Sequence, residues 1–267
     1  MSALPGRLAR LEFKYLIDEA TAGRVCRGLE PYCSLDPYGA NARQSTHSPA
    51  SGYRVRSLYL DTPAFAFHRA KERGDPERFK LRVRGYDKRQ VLYLEIKHRS
   101  ADFVRKQRIG IDPRNLVEAG HETCKLDQET PQGRRVAEEF GRRVLSTAAS
   151  PKLLVRYDRV AYGSHVDQYA RVTFDRNVEF QQTEQWNMEG QPDIWSGLQR
   201  QLIDEAPNPL VIMEIKTLAS IPHWLIDIVR RHDLRRSSVS KYSLGIYLNY
   251  RFRYLSPGRE RARGLLN

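Results

Sequence analysis

The chain of 267 residues carries 45 Lys+Arg against 32 Asp+Glu, a formal net charge of +13, with 40% hydrophobic and 29% charged residues. That mixture is ordinary for a soluble globular chain with a sizeable core, and the cationic excess calls for an anionic partner: nucleic acid, a phosphorylated small molecule or an acidic membrane surface. Three cysteines, Cys26, Cys33 and Cys124, form no CxxC pattern, which argues against a disulfide framework or structural zinc and for a reducing, cytoplasmic setting; no run of about 18 apolar residues suggests a transmembrane segment.

In chain order, the first predicted strand is Arg10–Ile17, "RLEFKYLI". A helix over Asp18–Leu29 follows, with Asp18 as its cap. After the polar loop Tyr38–Ser51, alternating apolar and polar residues predict strands over Tyr53–Asp61, Phe79–Tyr86, Val91–Lys97 and Phe103–Ile111. The segment "RGYDKRQ" reads as a hairpin connection. Thr130–Leu145 has Val136, Phe140 and Val144 at helical spacing behind Pro131, which suits a first-turn position. Strands are then expected at Lys152–Tyr162, Ala170–Asp175 and Leu210–Ile215, with Gln181–Pro192 a loop. Ile221–His232 reads as an amphipathic helix, Leu244–Tyr250 as a last strand, and the basic tail Arg251–Asn267 as solvated. Many antiparallel strands with few helices predict one α+β domain around a closed or nearly closed sheet.

The predicted strands share an unusual feature. In "FKLRVRGY", Lys80, Arg82 and Arg84 fall on one face, because strand side chains alternate. The same spacing groups Arg10, Glu12 and Lys14; Glu95 and Lys97; Lys106 and Arg108; Tyr157 and Arg159; Arg171, Thr173 and Asp175; and Glu214 with Lys216. One such strand needs only a wet sheet face. Repetition needs more, because converging like charges repel and resist desolvation unless a polyanion neutralises them. A sheet curled into a barrel brings them to one lumen. There Arg offers a planar fork to phosphate oxygens, Lys a point charge, and the few carboxylates suit a hard divalent metal. The convex helix or ribbon of duplex binders is not evident, so no specific nucleic acid is expected.

The segments "RLEFKY", "SLYLDTP", "KLRVRGY", "LEIKHR", "RYDRVAY", "RVTFD", "IMEIK" and "SKYSLG", in that order, resemble the VTC domain, the polyphosphate polymerase branch of the CYTH-like triphosphate tunnel metalloenzymes. The resemblance spans residues 8–250 and leaves 251–267 as a flexible tail. It implies a closed antiparallel eight-stranded β-barrel with helices packed outside. It also implies transfer of the ATP γ-phosphate to a growing inorganic polyphosphate chain, pyrophosphate being a possible primer, with Mn2+ or Mg2+. By motif, Lys14, Arg82, Arg84, Lys97, Lys106, Arg159, Arg171 and Lys241 would grip phosphates. Tyr157 and Ser240 would add hydrogen bonds, Lys80 and Arg108 would lie on the same faces, and Glu214 would hold the metal, with Glu12 and Glu95 as further candidates. Hydrolytic tunnel enzymes begin with Glu-x-Glu-x-Lys, whereas the first position here is Arg10. Hydrolysis needs an activated water, while chain extension uses a phosphate oxygen that is already ionised. The alternatives are a metal-dependent triphosphatase in the same tunnel and a non-catalytic polyphosphate or nucleotide binder. Fungal members add a sensing domain and a membrane anchor not spelled out in these residues, so association with a membrane partner protein is the corresponding expectation.

Other residues read as structural. The seven histidines have no metal-ligand spacing, and Trp186, Trp195 and Trp224 read as packing anchors. Asp61 reads as a strand-end cap and Cys26 as a core residue.

Overall fold

The computed structural model describes residues 10–36, 52–87, 90–101, 103–120, 130–167, 169–198, 210–218 and 220–250. The Tyr38–Ser51 loop and the Arg251–Asn267 tail lie wholly outside them. The first half runs β1 (Arg10–Asp18), α1 (Glu19–Leu29), β2 (Cys33–Leu35), β3 (Tyr53–Asp61), α2 (Ala66–Arg73), β4 (Glu77–Tyr86), β5 (Leu92–Ser100) and β6 (Phe103–Ile111). The second half runs α3 (Pro131–Ser146), β7 (Ser150–Ser164), β8 (Ala170–Gln182), β9 (Ser196–Gly197), β10 (Leu210–Leu218), α4 (His223–Arg231) and α5 (Lys241–Tyr250).

One antiparallel sheet follows the path β1-β10-β8-β7-β3-β4-β5-β6, with β2 added beside β7 and β9 beside β8. The path has the eight strands expected, but β1 and β6 stand at its ends and do not pair with each other. The closed barrel is therefore corrected to a curled, open half-barrel. Its curvature still brings β5 to β1 across the trough, where Lys97 Nζ lies 3.7 Å from Glu12 Oε2.

Alternation along the strands splits the protein into three cores. On the convex face, Leu81, Val83, Leu94 and Ile96 pack under Phe140 and Val144 of α3. Farther along that face, Tyr15, Val172, Phe174, Met213 and Ile215 pack under Val25 of α1 and Leu225 and Ile228 of α4. Each fully buried Leu, Ile or Phe there contributes about 1.5–3 kcal/mol. The local signals work as written in the sequence: Asp18 Oδ1 accepts from Thr21 N at 2.6 Å, and Thr130 Oγ1 accepts from Gly133 N at 3.1 Å ahead of α3. The three tryptophans pack against these cores.

The third core fills one end of the concave face and overturns two expectations. The predicted strand Leu244–Tyr250 is the greater part of helix α5, and that helix lies inside the trough rather than outside. Tyr242 and Ile246 pack on Tyr59, Leu153, Val155, Phe180 and Ile212. "SLGIYLNY" is apolar on most sides and rich in residues that favour strands, so it shows no helical stripe. Gly245 permits the fit, since a side chain there would collide with Phe180 and Leu153. Helix α2 was not foreseen, because "AFHRAKER" is short and polar. It depends on Asp61, whose carboxylate accepts from Phe67 N and His68 N, both at 2.9 Å. Tyr242 Oη donates to the same carboxylate at 2.5 Å, tying α2, β3 and α5 together and bearing out Asp61 as a structural cap.

No helix among the described residues is long and apolar enough to cross a membrane.

Candidate functional site: a cationic trough

The concave face beyond α5 collects the charged faces foreseen in the sequence. The pairing registers align Arg82 with Glu95, Arg84 with Tyr93, Lys80 with Lys97, and Lys97 with Lys106. On the other wall they align Lys14 with Glu214, Glu12 with Lys216, Lys216 with Arg171, and Arg159 with Asp175. Antiparallel partners point to the same side, so these registers turn seven separate alternations into one surface.

Two buried carboxylates organise the floor. Glu95, 1% exposed, takes the Arg82 guanidinium on Oε2 at 2.5 Å, and Lys106 and Arg108 on Oε1 at 2.7 and 3.4 Å. Burial alone would raise its pKa, but Arg82, Arg84 and Lys106 hold it well below the carboxylate range. Glu95 is thus committed to cations, which leaves it poorly suited to a metal. Asp175, fully buried, accepts from Arg159 at 2.6 and 2.7 Å and from Lys241 Nζ at 2.5 Å. Burial opposes its ionisation too, and Arg159 and Lys241 overcome that. The ring of Tyr157 lies beneath both cations, 5.2 Å from Arg159 and 4.7 Å from Lys241. Arg84 Nε donates to Ser57 Oγ at 3.2 Å, and Arg82 Nη1 to Tyr59 Oη at 3.3 Å. Ser57 and Tyr59 escaped the sequence reading; their place on the same face of β3 as Asp61 was the available signal.

The toward-β1 wall is arranged differently. Lys14 Nζ lies 3.3 Å from Glu12, and Lys216 Nζ lies 3.1 Å from Glu214. Burial would raise the Glu214 pKa, but the cations Lys216, Lys14 and Arg159 take it well below the usual value. Glu12 and Glu214 therefore stand side by side as hard oxygen donors. Among the described residues no third Asp, Glu, His or Cys joins them. A divalent ion held by one or two carboxylates, completed by phosphate and water oxygens, fits that donor set. At the far end Arg171 pairs with Asp36 at 2.7 Å and reaches Tyr53 Oη at 3.4 Å, while Arg108 stacks 3.5 Å over Tyr93.

Lys80, like Arg84, bonds a serine hydroxyl and makes no ion pair among the described residues. Its Nζ touches Ser240 Oγ at 3.4 Å. Burial, then Lys14, Lys71, Lys97 and Arg82, depress its pKa to about 7. Ser240 itself caps α5, its carbonyl accepting from Leu244 N at 2.9 Å. The structure thus brings every sequence-predicted site residue to one trough.

A family model described as the VTC domain matches residues 9–250. No curated protein matches the chain. Solved structures similar to it include a candidate adenylyl cyclase from Hippeastrum with a dominant triphosphatase activity, at 16% identity and a TM-score of 0.48, over 89% of this chain and 95% of that one. A Pyrococcus horikoshii OT3 protein follows at 11% identity and a TM-score of 0.45, over 90% and 98%. A candidate adenylate cyclase from Bacillus halodurans has 10% identity and a TM-score of 0.48, over 87% and 94%.

Proposed function

Because the chain belongs to the VTC domain family, we propose that the trough is the active site of an ATP-dependent polyphosphate polymerase. The observation that carries this reading is the mismatch between the two charge types. The floor carboxylates Glu95 and Asp175 are already saturated by cations, Lys14 and Lys97 share the one carboxylate of Glu12, and Lys80 and Arg84 make no ion pair among the described residues. A phosphate chain supplies the missing charge along its whole length.

The step needs little from the protein beyond position and charge. A terminal oxygen of the acceptor chain attacks Pγ of ATP, the bond from Pγ to the β–γ bridging oxygen breaks, and ADP leaves with that electron pair. One phosphoanhydride forms as another is broken, and no proton need be removed from an oxygen already ionised. Arg82, Arg84, Arg159 and Lys241 hold the transferred group and its neighbours in line and balance the charge that spreads over their oxygens. Glu214 with Glu12 would hold a divalent ion, Mn2+ or Mg2+. Bound there, it would neutralise phosphate charge and polarise the transferred group. At the first position of β1 stands Arg10, where hydrolytic tunnel enzymes carry a carboxylate, and this favours transfer to phosphate over transfer to water.

The test is incubation with ATP, Mn2+ and pyrophosphate, followed by sizing of the products and assays of ADP and free phosphate. Long chains with ADP, reduced ~100-fold or more in Glu214→Ala, are expected. Free phosphate without chains would replace this reading by the triphosphatase one.

A further inference from the structure

Beside the start of α5 the trough ends in a pocket of about 250 Å³ lined by Glu12, Lys14, Lys71, Lys80, Arg236 and the serines from Ser237 to Ser240. Two of its cations, Lys71 and Arg236, come from outside the barrel strands and belong to none of the alternating faces. Lys71 stands in the last turn of α2, its Nζ 2.8 Å from Glu72. Asp61 holds the start of that helix against β3 and α5. Arg236 is placed by a bridge to Tyr15 and by stacking of its guanidinium 4.4 Å from the Phe13 ring centre. Ser237 N donates to Lys14 O at 2.8 Å, yet its buried Oγ finds no hydrogen-bond partner among the described residues. Glu12 is already engaged by Lys14 and Lys97.

The pocket is therefore an anion site with built walls, and its depth along the trough says which anion. Lys80 and Arg84 are four residues apart on β4, roughly 13 Å at the strand rise. Phosphates that share a bridging oxygen cannot lie so far apart. A phosphate seated by Lys71 and Arg236 is thus several links away from one gripped by Arg84. Resting on the polyphosphate reading above, we propose that this pocket is a chain subsite for phosphates beyond the first three, with Lys71 and Arg236 its specificity-determining residues. Lys80, which makes no ion pair among the described residues, joins the two sections.

The experiment compares the binding of tripolyphosphate and of a long-chain polyphosphate to the unaltered protein, Lys71→Gln, Arg236→Gln and the double variant. Each loss of a charged contact should weaken the long chain about tenfold and leave tripolyphosphate within about twofold. Equal weakening of both ligands would reduce the two residues to a general field and overturn the subsite, as would no change in either. If the unaltered protein bound tripolyphosphate but showed no added affinity for the long chain, the subsite alone would fail. If it bound neither, the tunnel reading would fall with it. Unchanged melting temperatures of the variants separate these results from misfolding.

Discussion

The floor of the trough and its α5 end are both cationic, yet they are built on opposite plans. On the floor each buried carboxylate is ringed by cations, as Glu95 is by Arg82, Lys106 and Arg108, and Asp175 by Arg159 and Lys241. At the α5 end Lys80 touches the Ser240 hydroxyl and lies 6.0 Å from the Tyr242 ring centre, with Lys14, Lys71 and Lys97 as charged neighbours. The difference separates two uses of charge. Floor carboxylates hold arginines rigid with or without a ligand, which is preorganisation. The end region is short of anionic partners and is complete only when an anion arrives.

The comparison breaks most visibly at Glu95. Glu95→Gln removes the anion and leaves desolvated cations behind, so urea unfolding should show a loss of about 3–5 kcal/mol. Excess tripolyphosphate should restore part of it, because the ligand replaces the lost charge. Acid acts on the same groups. Glu95 and Asp175 have folded pKa values below their unfolded ones, so their contribution is full above the ordinary carboxylate range and is lost as pH falls through the depressed values. A stability profile that falls on acidification, and falls less steeply in Glu95→Gln, is the expected outcome. An unchanged slope would mean that the floor is not an ionised network.

Next in size is Gly245→Ala, which crowds Phe180 and Leu153 where α5 seats on the sheet. It should cost about 1–3 kcal/mol by urea unfolding, and no loss would mean that the helix does not pack so closely.

The Lys80 end should show itself through pH and binding. With its free pKa near 7, Lys80 is largely neutral above that pH until a bound anion raises its pKa and it takes up a proton from solvent. Lys14, Lys71, Lys97 and Arg82 oppose its charging, and Glu12 across the pocket is engaged by Lys14 and Lys97. Binding then takes up a proton, and tripolyphosphate affinity should weaken by up to about tenfold per pH unit above 7. Lys80→Gln should flatten that dependence, and a flat profile in the unaltered protein would refute the assignment. The smallest effect belongs to the convex surface. Arg142→Ala removes an exposed partner of Glu139 on α3 and should change stability by less than ~0.5 kcal/mol.

The sequence by itself determined the strands and the faces of their charges, because backbone geometry makes alternation a local property. Tyr53–Asp61 and Phe103–Ile111 were legible to the residue. The continuation of β8 past Asp175 to Gln182 was not legible, because Asn177, at φ 49°, and the irregular pairing between Arg156 and Asp158 interrupt the alternation. Local patterning also marked the helix starts at Asp18 and Thr130, where one side chain caps one backbone amide. What only the tertiary structure decided depends on partners distant in the chain. It turned Leu244–Tyr250 into a helix, because burial against Phe180, Leu153 and Ile212 outweighs local strand preference. It left the sheet open, which no single strand encodes. It also divided the cations: register gave Glu95 to Arg82 and Lys106, and the curl of the sheet with two loop-held helices left Lys80 facing Lys71. Which charges meet is set by long-range packing, and at these positions that is the difference between scaffold and site.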